Sequence, residues 1–173
     1  MFAGSEDVGR MREFPPDVEL TRGWDWYAVD VYGNLGYFAT TELRRVPLAV
    51  KQNPVAAERT IDYFFKEAPR LGRHQVRPGI DKEVGGFESN RKRMRYLENF
   101  ATMSNRGLFS FDSKLVDGFG RYYQVTAPHS PLRLSELPAE TQSYLLIVQS
   151  PLKLGETVWV DEIETIGWPQ ART

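Results

Sequence analysis

The residue pattern predicts an α+β domain: an antiparallel sheet built from hairpins, with two to three helices packed mainly on one face. Three observations predict it. Residues from Trp24 to Thr41 alternate about a central turn, as a hairpin does. Two stretches carry apolar residues at helical spacing, and the other strand-like runs follow one another across short turns. The 173 residues fit one domain, read as residues 21–168 behind a flexible arm at 1–20. That arm mixes Gly4, Gly9, Pro15 and Pro16 with alternating charge, and order is commonly lost at termini.

In the hairpin, Trp24, Trp26, Ala28 and Asp30 share one face, and Asp25, Tyr27, Val29 and Val31 share the other. Tyr32-Gly33-Asn34 is the turn, because Gly and Asn tolerate positive φ. Leu35 to Thr41 is the return strand. Both faces are apolar, so both are expected to be covered. Asn53-Pro54 opens a helix, with Asn as cap and Pro at the first helical position. Ala57, Ile61, Phe64, Phe65 and Ala68 form its apolar stripe, and Pro69 stops it. Residues 69–88 read as a long irregular loop, broken by Pro69, Gly72, Pro78, Gly79, Gly85 and Gly86.

A second helix runs from about Ser89 to Ser104. Met94, Leu97, Ala101 and Ser104 form a row, with Tyr96, Phe100 and Met103 beside it. Asn105-Arg106-Gly107 ends the helix through a left-handed cap at Asn105 or Gly107. Leu108–Asp112 and Arg121–Ala127 are strands about a turn at Asp117-Gly118. After the loop Pro128-His129-Ser130-Pro131, a helix starts near Ser135. Leu137, Thr141, Tyr144, Leu145 and Val148 keep helical spacing, while β-branched Ile147-Val148 leaves a strand open there. Val158 to Ile166 alternates as a last strand.

Composition narrows the function. Hydrophobic residues are 41%, aromatic residues 13% and charged residues 26%, which describes an ordinary globular chain. Twenty-two basic and 23 acidic side chains leave a net charge of −1, so no chain-wide attraction to nucleic acid or anionic lipid exists. With no cysteine, disulfides, thiolate catalysis and Cys-ligated zinc are excluded. No apolar run reaches membrane-span length, and the first residues lack the apolar core of a secretory signal. A cytoplasmic protein without membrane partner is expected.

No residue pattern carries a familiar chemistry. His74 and His129 lie in predicted loops, outside any metal-ligand spacing. No nucleophile elbow, phosphate-binding loop or dinucleotide fingerprint occurs, so no cofactor and no metal are expected. Residues 1–50 carry 5 basic and 8 acidic side chains, residues 51–110 carry 12 and 7, and residues 111–173 carry 5 and 8. The basic middle block includes Arg91, Lys92, Arg93 and Arg95 on one helix, interleaved with Phe87, Tyr96 and Phe100, as in some RNA-binding faces. Near-neutral overall charge favours a solvated helix face instead, and nucleic acid is not the expected partner.

The order of motifs also resembles a family. Trp26-Tyr27-Ala28-Val29-Asp30-Val31-Tyr32-Gly33-Asn34-Leu35-Gly36-Tyr37-Phe38-Ala39-Thr40-Thr41 is followed by Val46-Pro47. Later come Arg106-Gly107-Leu108-Phe109-Ser110-Phe111-Asp112, Tyr122-Tyr123-Gln124-Val125-Thr126-Ala127-Pro128 and Pro131-Leu132-Arg133-Leu134-Ser135-Glu136-Leu137-Pro138. Together, over about two thirds of the chain, these resemble small bacterial immunity proteins encoded beside polymorphic and contact-delivered toxins. Such proteins neutralise a toxin by binding it. The shared motifs are structural, so no functional residue carries across.

The resemblance implies an antitoxin-type binder of a cognate toxin protein, with no catalysis of its own. An acidic surface around Trp24, Asp25, Asp30 and Glu42, joined by Asp161 and Glu162, is the candidate partner-binding site, suited to a basic toxin. The basic block with residues 69–88 is the other candidate surface. Two alternatives belong to different classes. One is an RNA-binding or ribosome-associated module using residues 91–95. The other is an enzyme with a site near His129 and Asp112.

Overall fold

The computed structural model describes residues 24–40, 46–116, 119–148, 151–152, 157–159 and 165–167. The expected arm at 1–20, Glu42, Asp161, Glu162 and the turn at Asp117-Gly118 lie outside the described residues.

The first hairpin forms as its alternation requires. Strand β1 (Trp26–Asp30) pairs antiparallel with β2 (Leu35–Ala39), with Trp26 opposite Phe38 and Val29 opposite Leu35. Gly33 takes φ +80° at the end of the turn, where its N–H bonds Asp30 O at 3.0 Å. That is the left-handed position of a three-residue hairpin loop. All five residues of β1 are buried, so both faces are covered.

Helices α1 (Leu48–Lys51) and α2 (Pro54–Asp62) follow. The Asn53 side chain caps α2 by accepting from Ala56 N at 3.2 Å. The expected helix then loosens into a π-helical turn over Tyr63–Glu67, closed by Ala68 N donating to Tyr63 O at 2.9 Å. The extra residue in that turn still leaves Phe64 fully buried.

Residues 69–88 are more ordered than the sequence predicts. They contain β3 (His74–Val76) and α3 (Ile80–Glu83). Three strand residues make no readable alternation, and one helical turn makes no stripe. Tertiary pairing with the sheet edge and burial of Ile80 create these elements.

Helix α4 (Asn90–Asn105) starts with the Ser89 side chain accepting from Lys92 N at 3.2 Å. Leu97, Phe100, Met103 and Ser104 are buried, whereas Met94 is 59% exposed. The buried face is therefore rotated away from the expected row. At the helix end Leu108 N reaches Met103 O at 3.2 Å and Gly107 N reaches Ser104 O at 3.0 Å. Gly107 has φ +93°, which makes this a Schellman motif. The chain returns at once as β4 (Phe109–Val116) and β5 (Phe119–Pro128), paired antiparallel.

After a single 3-10 turn at Leu134–Glu136, α5 (Ala139–Ser143) is only five residues long. It yields to β6 (Leu146–Val148), the strand that Ile147-Val148 left open. Of the expected last strand, the described residues form β7 (Thr157–Trp159), which pairs with β5, and β8 (Thr165–Gly167), which pairs with β6.

The sheet order is β3-β5-β4-β2-β1-β6-β8, with β7 also on β5. It is mixed, not purely antiparallel, because β2 runs parallel to β4 and β1 parallel to β6. The helical crossover between β2 and β4 returns the chain to its starting end, so β4 enters in the direction of β2. The α+β class stands. Most helical side chains, including Phe64, Ile80, Leu97, Phe100 and Met103, meet the sheet face of Tyr27, Tyr37 and Tyr123. Val50 of α1 and Ala57 of α2 join the opposite face. There Trp26 stacks on Phe38 at 4.0 Å, Phe38 stacks on Phe111 at 4.9 Å, and Trp26 Nε1 donates to Tyr122 Oη at 2.8 Å.

Candidate functional site

The tip of the β1–β2 hairpin is built around one buried carboxylate. Asp30 Oδ1 accepts from Tyr32 N at 2.9 Å and Asn34 N at 2.8 Å. Its Oδ2 accepts from Asn34 Nδ2 at 2.8 Å and Leu152 N at 2.9 Å. Arg133 braces the outside, donating from Nη1 to Tyr32 O at 3.3 Å and to Asn34 Oδ1. A turn held at so many points keeps its shape. It holds Val31 and Tyr32 outward, 53% and 63% exposed. Beside them an open groove of about 620 Å³ is lined by apolar Val29, Val31, Leu134 and Ile147 and by polar Arg133, Ser135 and Gln142.

A polar cluster lies between the first half of α4 and the sheet. Tyr96 Oη and Tyr123 Oη both donate to Asp112 Oδ2, at 2.8 and 3.0 Å, and stand 3.1 Å from each other. Tyr37 Oη donates to Asp25 Oδ2 at 2.8 Å. Burial, reinforced by the Asp112 charge, pushes both Tyr96 and Tyr123 well above the ordinary phenol range. Burial also raises Asp25, against the Tyr37 and Thr40 hydrogen bonds that favour its ionised form. A cleft of about 430 Å³ opens here, with Lys82, Glu83 and Lys114 among its walls. Lys114 Nζ donates to Glu83 O at 2.8 Å. The cluster ties α4 to the sheet.

These placements revise the expected acidic surface. Trp24 and Asp30 are buried, 6% and 3% exposed, because Trp24 joins the aromatic core and Asp30 holds the turn. Asp25 is half-buried on Tyr37, under the helical layer. Trp24 and Asp30 therefore do not form an outward patch, while Glu42, Asp161 and Glu162 lie outside the described residues. His129 is exposed, and Asp112 pairs with Tyr123, six residues and about 20 Å of strand away. A joint site near His129 and Asp112 is not assembled. His74 Nδ1 meets Asn105 Oδ1 at 2.9 Å, and among the described residues no group of carboxylates and histidines is placed to hold a metal.

The sequence does not single out Val31, Tyr32 or Arg133 as site residues: Tyr32 reads as part of a turn, and nothing local joins it to Arg133, 101 residues later. The available signal was an aromatic beside Gly-Asn at a hairpin tip, where no core can take it in. No helix among the described residues is long and apolar enough to cross a membrane. Comparisons with protein families, with curated proteins and with solved structures found no match.

Proposed function

We propose that this protein is an antitoxin-type binder that neutralises a cognate bacterial toxin domain in the cytoplasm and has no catalysis of its own. One observation carries the reading: Val31 and Tyr32 are presented on a rigid hairpin tip beside an apolar groove with polar lining. A pre-ordered aromatic anchor loses little entropy on binding and suits the centre of an interface. A protein interface of standard size, about 800 Å² per partner, is larger than this tip and would extend over neighbouring surface. Inhibition by binding needs a stable fold and a complementary patch, and the motif order resembles proteins that work this way.

The test is co-purification. The chain is expressed with the product of the adjacent upstream gene, only that product is tagged, and the complex is washed at high salt. Retention at one-to-one stoichiometry, with rescue of a host otherwise killed by the neighbour, is expected. Tyr32→Ala and Val31→Asp should abolish retention while thermal stability stays within about 0.5 kcal/mol, as for most surface changes. Absence of retention and rescue by the unaltered chain overturns the reading. Retention unaffected by both substitutions moves the interface away from the tip.

A further inference from the structure

Strand β3 ends the sheet, and its register fixes which backbone groups it leaves over. Gln75 stands opposite Ala127, Arg77 N donates to Val125 O at 2.9 Å, and His129 N donates to Arg73 O at 2.9 Å. In an antiparallel ladder, alternate residues turn both backbone groups toward the same neighbour. Arg73, Gln75 and Arg77 therefore face β5, and His74 and Val76 turn their N–H and C=O outward. Those outward groups have no backbone partner among the described residues. They form a row of two donors and two acceptors at ladder spacing, which another strand can complete.

The side chains along this edge are one-sided in charge. No acidic residue occurs from 68 to 80, whereas Arg70, Arg73 and Arg77 all do. Asn105 and residues 125–129, which pair with or bond to this stretch, include no acid either. His74 and Val76 lean to the helical side, His74 on Asn105 and Val76 against the apolar cluster there. By alternation Arg73 and Gln75 take the other face, away from α4, and both are exposed. Arg70 and Arg73 make no ion pair with any described residue. Arg77 Nη1 is buried with no hydrogen-bond partner among the described residues.

We propose that β3 is a docking edge for an extended acidic segment of a partner protein, added as a further strand. The outward groups require a polypeptide backbone, because nucleic acid offers no alternating N–H and C=O. The arginines select carboxylates at the residues opposite positions 73 and 77, four apart on one face of the added strand. Charged edges resist indiscriminate pairing, and here the charge has one sign. It also disfavours a second copy of this chain. Two β3 strands paired about Gln75 would set arginine against arginine at positions 73 and 77. The edge lies four strands from β1, about 19 Å across the sheet, so it is separate from the hairpin tip.

Nuclear magnetic resonance on the full chain tests this. The probe is a soluble synthetic peptide with the core Glu-Val-Thr-Val-Glu, which puts both carboxylates on one strand face. On its addition the amides of His74 and Val76 should shift and exchange more slowly with solvent, while those of Val31 and Tyr32 should not change. A second peptide is methylated on the backbone nitrogens of both valines, and a third on that of the threonine. One of these two should lose binding and the other keep it, because only alternate amides face the protein. Arg73→Glu should weaken the unmethylated peptide about fivefold or more, the scale of an exposed ion pair. Arg59→Glu, an equal charge change at an exposed position on α2, should leave affinity within about twofold. No binding of the Glu peptide, equal loss from both methylations, equal loss in both arginine variants, or tighter binding of a Lys-Val-Thr-Val-Lys peptide would each overturn the proposal. So would tighter binding of single-stranded RNA at this edge, or self-association of the chain that the peptide competes away, since either names another occupant.

Discussion

Tyr96 of α4 and Asp112 of β4 are joined by a 2.8 Å hydrogen bond from phenol to carboxylate, and Tyr123 of β5 donates to the same oxygen. One carboxylate oxygen thus holds a helix and two strands together. Tyr96→Phe removes one donor and keeps the ring that packs on Phe87 and Phe100. The expected loss is about 1–2 kcal/mol, the lower range for a hydrogen bond to a charged group because the site is half-exposed. Urea unfolding measures it, and an unchanged midpoint would show that the bond contributes nothing net.

Asp25 gives a signed pH dependence. Burial raises its carboxyl in the folded state above the unfolded value of about 3.9. The folded state therefore binds this proton more tightly than the unfolded chain does. The resulting stabilisation is fully present below the unfolded value and is lost as pH rises through the folded value. Asp25→Asn keeps an oxygen for Tyr37 and removes the titration. Relative to the unaltered protein, the variant should gain stability as pH rises from 4 to 7. Parallel stability curves for the two proteins across that range would refute this account.

Asp30→Asn tests whether this residue holds the turn. The carboxylate accepts four N–H groups and donates none. An amide of the same size must aim its own NH₂ at N–H donors. A loss of about 2–3 kcal/mol is expected, from leaving buried donors unanswered. Calorimetry on the isolated protein suffices to detect it. Normal stability with lost partner binding would instead restore Asp30 as a contact residue.

Two glycines with similar φ should respond differently to alanine. Gly33 (φ +80°) has open space where a Cβ would stand. Gly107 (φ +93°) has the Leu132 backbone nitrogen 2.5 Å from that point. Gly33→Ala should cost only the left-handed penalty, about 1–2 kcal/mol. Gly107→Ala adds a clash with backbone that cannot swing aside, and about 3 kcal/mol or more is expected. Equal midpoints for the two variants would mean that the α4–β4 corner yields.

Much of the fold was legible because its signals are local. The alternation around Gly33, the Asn53 and Ser89 caps and the glycine end of α4 each depend on residues a few positions apart. The candidate site was much less legible. Asp25 and Asp30 read as surface charge because acidic residues usually are. Their burial depends on Tyr37, Asn34 and Leu152, the last of them 122 positions away from Asp30.

By itself, the sequence determined the class of the domain, the first hairpin, the two main helices and the absence of cysteine chemistry. Periodicity, capping and composition act over a few residues and survive without knowledge of the fold. Only the tertiary structure decided the parallel pairings of β2 with β4 and β1 with β6, the strand at His74–Val76, and which polar groups face inward. It also decided that Tyr32 faces outward while Asp30 does not. Sheet order and burial arise from contacts between distant segments, and a side chain's role follows from what those contacts leave exposed.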